Sequence, residues 1–208
     1  ERAIGIMIQI CTGLRSVHEG ITLKTSDMGP NPRIKVIHRD LKPANIFLVP
    51  TALGERVKII DFGIEKIQSS HLENANFSQS LLGTYHYAAP EQFNDRENID
   101  ERADIYCLGI ILYEMLAGVD PFGLKLPGQR VTGESWIKAH LIKPVQPLRS
   151  QMGCESLSIE LEQIAMRCLE KNPDQRFSTV QALAQALESE RNTIRSSFKA
   201  FINLKQFA

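Results

Sequence analysis

The sequence predicts a mainly α fold with one small β-hairpin, on three observations. Apolar residues recur at helical spacing in the opening segment and through most of the second half. Two short β-prone runs, "NIFLV" and "RVKII", flank the turn-rich "PTALGE". Between Glu65 and Tyr87 neither periodicity is sustained. The 208 residues suit one domain or one large lobe, long enough to bury a real core.

In chain order, "AIGIMIQICTGLRSVHEG" places Ile6, Ile10, Leu14 and Val17 on one helix face and ends at Gly20. The loop "LKTSDMGPNPR" follows. The predicted hairpin then frames the polar stretch "HRDLKPANIFL" on one side and Asp61 on the other. A loop as long as the one from Glu65 to Tyr87 is usually functional. After Ala103 the chain reads as helices. "IYCLGIILYEMLAG", from Ile105 to Gly118, is the most apolar stretch, but it is too short for a membrane span and carries Glu114, so it predicts a buried core helix. Leu161, Ile164, Ala165 and Cys168 share a later face that Pro173 terminates. Ser178 and Gln181 have capping-box spacing for a last helix with Val180, Leu183, Ala184 and Leu187 inward. Residues 191–208 are left as a C-terminal tail. There is no internal repeat and no low-complexity segment.

Charge is balanced, 24 basic against 24 acidic residues, which gives no pointer to nucleic acid or to an anionic membrane. Cys11, Cys107, Cys154 and Cys168 have no C-x-x-C spacing, which predicts reduced, packed thiols and a cytoplasmic setting. The chain opens without Met or a signal peptide, already inside a helical pattern, and reads as truncated at its N-terminus.

The stretch from His38 to Asn45 is either a solvated turn or a site, because so many polar groups are costly to bury without partners. Asp40 and Asn45 lie five apart with Lys42 between them, and Asp61 begins "DFG" after the second strand. Asn45 and Asp61 at the base of a hairpin suit Mg²⁺, which takes hard oxygen ligands shared with substrate phosphates. Lys42 suits a phosphoryl group in transfer. Asp40 is then left to accept a proton from an attacking hydroxyl.

"HRDLKPAN", "DFG" and "AAPE", in that order, resemble the catalytic loop, metal-binding motif and activation-segment end of eukaryotic-type protein kinases. The resemblance covers nearly the whole chain and implies the kinase-like C-terminal lobe. Its parts would be a catalytic loop over 38–45, an activation segment over 61–91 and a helical subdomain over 103–190. It implies Asp40 as catalytic base, Lys42 on the γ-phosphate of ATP, Asn45 and Asp61 on Mg²⁺, and Phe47 beneath the adenine. Thr84 of "GTYHYAAPE" would contact Asp40 and Lys42. Lysine at 42 is similar to Ser/Thr kinases, so the implied partner is a protein substrate with a Ser or Thr hydroxyl. Glu91 and Arg176 resemble a buried ion pair, and Asp104 resembles the aspartate that holds the catalytic-loop backbone. The wording of "ESWIKAHLIKPVQPL" and "RCLEKNPDQR" is similar to bacterial, particularly cyanobacterial, members. Ser78 and Ser80 offer phosphorylation sites that could pair with Arg39. His38 reads as structural, packed beneath Phe62, and His86 and His140 as polar or packing residues. Phe47 also has a plain reading as core.

The sequence departs from the family pattern in several places. No G-x-G-x-x-G and no V-A-I-K-like strand occurs, so the Gly-rich lid, its lysine, the helix glutamate and the hinge are not found in these residues. This reads as a large lobe without the N-terminal lobe, doubtful as an enzyme alone and prone to self-association near the hairpin and first helix. About a dozen extra residues, over 22–34, intervene before the catalytic loop, and Glu65 stands where alanine is common. The rival reading is a non-catalytic kinase-like binding or scaffold module. A small-molecule phosphotransferase is a distant third, since such enzymes lack the APE segment.

Overall fold

The computed structural model describes residues 1–22, 33–52, 54–62, 85–95, 98–125 and 130–206, with side chains through Lys199. Helix α1 (Arg2–His18) buries Ile6, Ile10 and Leu14 of the predicted stripe and half-buries Val17, and it also buries Ile4, Met7 and Cys11. It stops before Gly20, whose φ of 103° is a left-handed conformation that glycine adopts without steric cost. Strands β1 (Ile21–Thr22) and β2 (Arg33–Ile34) then pair antiparallel, Ile21 opposite Ile34. The loop expected here therefore has a short ladder at its base, which its two-residue strands are too brief to announce by alternation; residues 23–32 lie outside the described residues.

The second hairpin is longer and tighter than expected. Strand β3 (Ile46–Thr51) pairs with β4 (Gly54–Ile59), from Ile46 opposite Ile59 to Thr51 opposite Gly54. Pro50, expected in the connecting turn, is inside β3. Among the described residues β3 has only β4 as neighbour, and proline is tolerated in such an edge strand. The hairpin is fastened to α1 by Arg2, whose guanidinium donates to both carboxylate oxygens of Glu55 at 2.8 and 2.7 Å. The Gln9 carboxamide donates to the Glu55 carbonyl and accepts from the Val57 amide, both at 3.1 Å.

A short helix α2 (Glu91–Asn94) leads to α3 (Arg102–Ala117). Every residue from Ala103 to Tyr113 of α3 is buried, as an apolar-all-round helix requires. It ends in the left-handed Gly118. Helix α4 (Gly133–Ile142) is capped by Thr132, and α5 (Ile159–Cys168) by Ser158, whose hydroxyl accepts from the Leu161 amide. All four residues predicted for the α5 face are buried. The α3–α5 approach depends on Gly109: a Cβ there would stand 2.7 Å from the Cβ of Cys168.

Helix α6 (Val180–Gln206) packs along α1 with Val180, Leu183 and Leu187 buried and Ala184 partly so. Its cap differs from expectation. Thr179, not Ser178, accepts from the Ala182 amide at 3.1 Å, because the first helical residue is Val180 and the third N–H belongs to Ala182. The helix runs on through most of the tail, to Gln206. All four cysteines are free and buried, and burial pushes the Cys11 thiol up to about 12, so it is inert at neutral pH.

Candidate active site

The polar stretch His38–Asn45 is a site-like turn built on the buried Asp104 carboxylate, which is fully excluded from solvent. One of its oxygens accepts from the His38 amide at 2.8 Å, the other from the Arg39 amide at 2.9 Å. His18 Nε2, from the end of α1, lies 2.8 Å from the first oxygen. Three elements thus converge on one carboxylate. The anchor holds Arg39 at φ 61°, a conformation a long side chain seldom adopts, and Asp61 across the site is also left-handed at φ 54°. Two such residues in facing segments mark a backbone held in place by its surroundings.

His38 is buried and structural, as expected. Its Nε2 lies 3.0 Å from the Ile60 carbonyl and its ring centroid 4.7 Å from that of Phe62. It therefore ties the turn to the segment leaving β4. Leu41 is fully buried beneath the turn, which leaves its polar neighbours outward.

Asp40 and Lys42 meet directly, Nζ to Oδ2 at 2.9 Å, in a partly exposed pair. Asn45, in the 3₁₀ turn Pro43–Asn45, is buried; its Nδ2 donates to the Asp40 carbonyl at 2.9 Å. That bond assigns the donor end of the amide and leaves Oδ1 as its acceptor end. The Asn45 carbonyl accepts from the Ile60 amide at 3.0 Å, so Asp61 follows immediately after a residue bonded to Asn45. The hairpin thus brings Asn45 and Asp61 to one end, as the sequence predicts. No cluster of three or more His, Cys, Asp or Glu fit for a metal occurs among the described residues. One carboxylate and one amide are still a donor set suited to a cation that also takes phosphate and water oxygens. Phe47 is 50 % exposed, next to exposed Leu48 and Val49, so it is not core. It sits on an edge strand, where a side chain can present a face to a ligand. Thr84, Ser78, Ser80, Gly63 and Glu65 lie outside the described residues.

The Glu91–Arg176 pair forms as expected, buried, with Nη1 and Nη2 donating to the two carboxylate oxygens at 2.7 and 2.9 Å. Three features were not foreseen. His18 supports Asp104. Gln92 donates to the Arg39 carbonyl and accepts from the Ala89 amide, both at 2.9 Å, joining the APE segment to the His38–Asn45 turn. Glu114 accepts from the Tyr87 hydroxyl at 2.8 Å and from Lys125 at 3.2 Å, with His86 Nε2 at 2.8 Å. Burial pushes the Glu114 carboxyl upward, but His86, Tyr87 and Lys125 outweigh it and hold the group at about 2. His86 is stacked between Tyr87 and Trp136, with centroids 4.2 and 4.1 Å away. The one sequence signal for this cluster was a glutamate inside the most apolar helix. His140, by contrast, is fully buried between the Tyr106 hydroxyl and the His86 carbonyl. Burial, reinforced by the Lys171 charge, drops it to about 3.

Residues 1–187 match the protein kinase domain family. The chain is 36 % identical over 197 residues to serine/threonine-protein kinase A of Synechocystis sp., covering 94 % of this chain and 35 % of that protein. It is 34 % identical over 187 residues to serine/threonine-protein kinase Pkn1 of Myxococcus xanthus, 89 % of this chain and 23 % of that one. It is 36 % identical over 188 residues to tyrosine-protein kinase MasK of the same species, 88 % and 25 %. The chain thus spans about a third or less of these relatives' lengths. The crystal structure of the Mycobacterium tuberculosis PknI kinase domain shares the fold, with a TM-score of 0.54 at 24 % identity, over 91 % of this chain and 55 % of that one.

Proposed function

Because this chain belongs to the protein kinase domain family, we propose that it carries the large-lobe half of a catalytic site that transfers the γ-phosphoryl group of ATP to a protein Ser or Thr hydroxyl. The observation that carries this reading is the Asp40–Lys42 contact at 2.9 Å on a turn pinned by Asp104. Asp40 takes the hydroxyl proton as the oxygen attacks, and Lys42 balances its charge and that of the moving phosphoryl group. Asn45 and Asp61 would hold Mg²⁺, which when bound with ATP neutralises the phosphate oxygens. The exposed Phe47 would lie against the adenine, and Thr84 beside Asp40. Lys42 within "LKPAN" supports Ser/Thr rather than Tyr as acceptor. Buried free thiols support a cytoplasmic setting, and no helix among the described residues is long and apolar enough to cross a membrane.

Arg39 supports a regulatory element of the same reading. Its Nε is buried with no hydrogen-bond partner among the described residues, which suits a phosphate carried on Ser78 or Ser80. The second reading is a non-catalytic docking module. Exposed Phe47, Leu48 and Val49 support self-association through the hairpin.

Two forms decide between the readings: the 208 residues alone, and the same lobe joined to a kinase Gly-rich lobe. With labelled ATP, Mg²⁺ and a generic protein acceptor, the joined form should transfer phosphate and the single lobe should not. Asp40→Asn should lower that transfer about 10²–10⁴-fold with the fold intact. Undiminished transfer by well-folded Asp40→Asn would remove Asp40 from the role of base.

A further inference from the structure

The neutral total charge conceals an asymmetry within helix α6. From Val180 to Glu190 it carries Glu188 and Glu190 and no cation. From Arg191 to Gln206 it carries Arg191, Arg195, Lys199 and Lys205 and no carboxylate. The remainder of the chain is correspondingly acidic.

The apolar stripe does not end where the core ends. Leu183 and Leu187 are buried against α1, Ile194 is partly buried, and Phe198, the next residue of the same stripe, is 62 % exposed. Arg191, Arg195 and Lys199 recur every fourth residue and so line one flank of it. Asn192, Thr193, Ser196 and Ser197 on the remaining sides are exposed.

Two plainer explanations cover only part of this. Cations near a helix C-terminus offset the macrodipole, but that effect fades within the last turn, which leaves Arg191 and Arg195 without a reason. Among the described residues Arg195 pairs with Glu1, at 3.8 Å and exposed on both sides, a weak contact. A second copy of the chain docked through the same stripe would set four cations against four cations. A helix with Phe and Ile on one side, Arg and Lys flanking and small polar residues elsewhere is the pattern that lies in a lipid interface.

We propose that the end of α6, from Arg191 onward, seats the chain on an anionic lipid surface, with the exposed Phe198 entering the headgroup layer and Arg195 and Lys199 meeting the phosphates. Long basic side chains can keep their charge at that level while their stems stay apolar. The four cations act together through the surface potential, so attachment weakens steeply with salt. The net negative charge of the remaining residues is repelled by the same surface.

The test is flotation of the purified chain with vesicles of phosphatidylcholine alone or with about 30 % phosphatidylserine. The chain should float with the phosphatidylserine vesicles, stay behind with the neutral ones, and detach when salt is raised. Arg195→Gln with Lys199→Gln should weaken attachment about 25-fold, at roughly fivefold per charge. Phe198→Ser should weaken it as well, through the apolar contribution. Both variants sit on exposed positions and should keep the parent unfolding temperature, so loss of attachment cannot be assigned to misfolding. The proposal is overturned if the chain ignores phosphatidylserine vesicles at low salt, or if it binds them undiminished by both variants. A Phe198-dependent dimer in sedimentation without vesicle attachment overturns it too, since the stripe would then serve a second copy.

Discussion

Glu91 and Arg176, 85 residues apart in sequence, face each other fork to fork, both buried inside the lobe. The same guanidinium also donates to the carbonyls of Arg102, Glu170 and Lys171. Removing the arginine therefore strands a buried carboxylate and three carbonyls, whereas removing the glutamate strands one cation that keeps three acceptors. Arg176→Ala should destabilise the lobe by about 3–5 kcal/mol, and Glu91→Gln by less. Urea titrations of the two variants check the order as well as the size.

Asp104 sets the backbone of the catalytic turn, and His18 sets Asp104. Asp104→Asn keeps one acceptor oxygen but turns the other into a donor that faces N–H groups. We expect a loss of about 1–3 kcal/mol and faster amide hydrogen exchange at His38 and Arg39 than elsewhere. His18→Phe should speed exchange at the same two amides to a smaller extent. Uniform acceleration across the lobe would mean that Asp104 is a general core residue.

His140 gives the lobe an acid-sensitive point. Its native value of about 3 lies below the ordinary 6.5, so between those limits the unfolded chain binds a proton that the folded chain refuses. Its stabilising effect is complete above pH 6.5 and shrinks as pH falls toward 3. Glu114, held at about 2 against an ordinary 4.5, adds a loss that begins only below 4.5. Chemical denaturation between pH 5 and 7 isolates the histidine, and His140→Gln should flatten the slope there.

Asn45 and Asp61 should govern how nucleotide binding responds to Mg²⁺. In a form bearing both lobes, Asp61→Ala should abolish the gain in ATP affinity that Mg²⁺ provides and leave the unfolding temperature without nucleotide nearly unchanged. Calorimetric titration with and without Mg²⁺ is the measurement. Because Asp61 is exposed at a left-handed φ, Asp61→Asn is the better second variant, as asparagine tolerates that conformation.

Much of this was legible in the sequence because it rests on local pattern. The buried stripe of α1, the all-buried α3 and the four-residue face of α5 follow from periodicity alone. The His38–Asn45 turn and Asp61 were legible through their ordered motifs. What escaped was fixed by tertiary packing or by a single atom's reach. His18 reads as an ordinary helix-end residue until α3 delivers Asp104 to it. Gln92 and Gln9 act through carboxamides that bond backbone in distant segments, and nothing local marks them. The shift of the α6 cap from Ser178 to Thr179 is a one-residue matter of where the first helical N–H groups fall. The basic end of α6 is hidden in a neutral total, because its four cations cancel against carboxylates spread over the rest of the chain.

The Gln9 carboxamide has a wider consequence. A two-stranded ribbon normally offers two raw edges to any passing extended chain, and one of these belongs to β4. By giving one donor and one acceptor to Glu55 and Val57, Gln9 stands in for the missing neighbour strand at the middle of that edge. Strand addition is thereby opposed on that side by α1, with Gln9 on the backbone and Arg2 paired to Glu55 beside it. Gln9→Ala would leave the fold standing but reopen that edge, converting a silent helix position into a determinant of solubility.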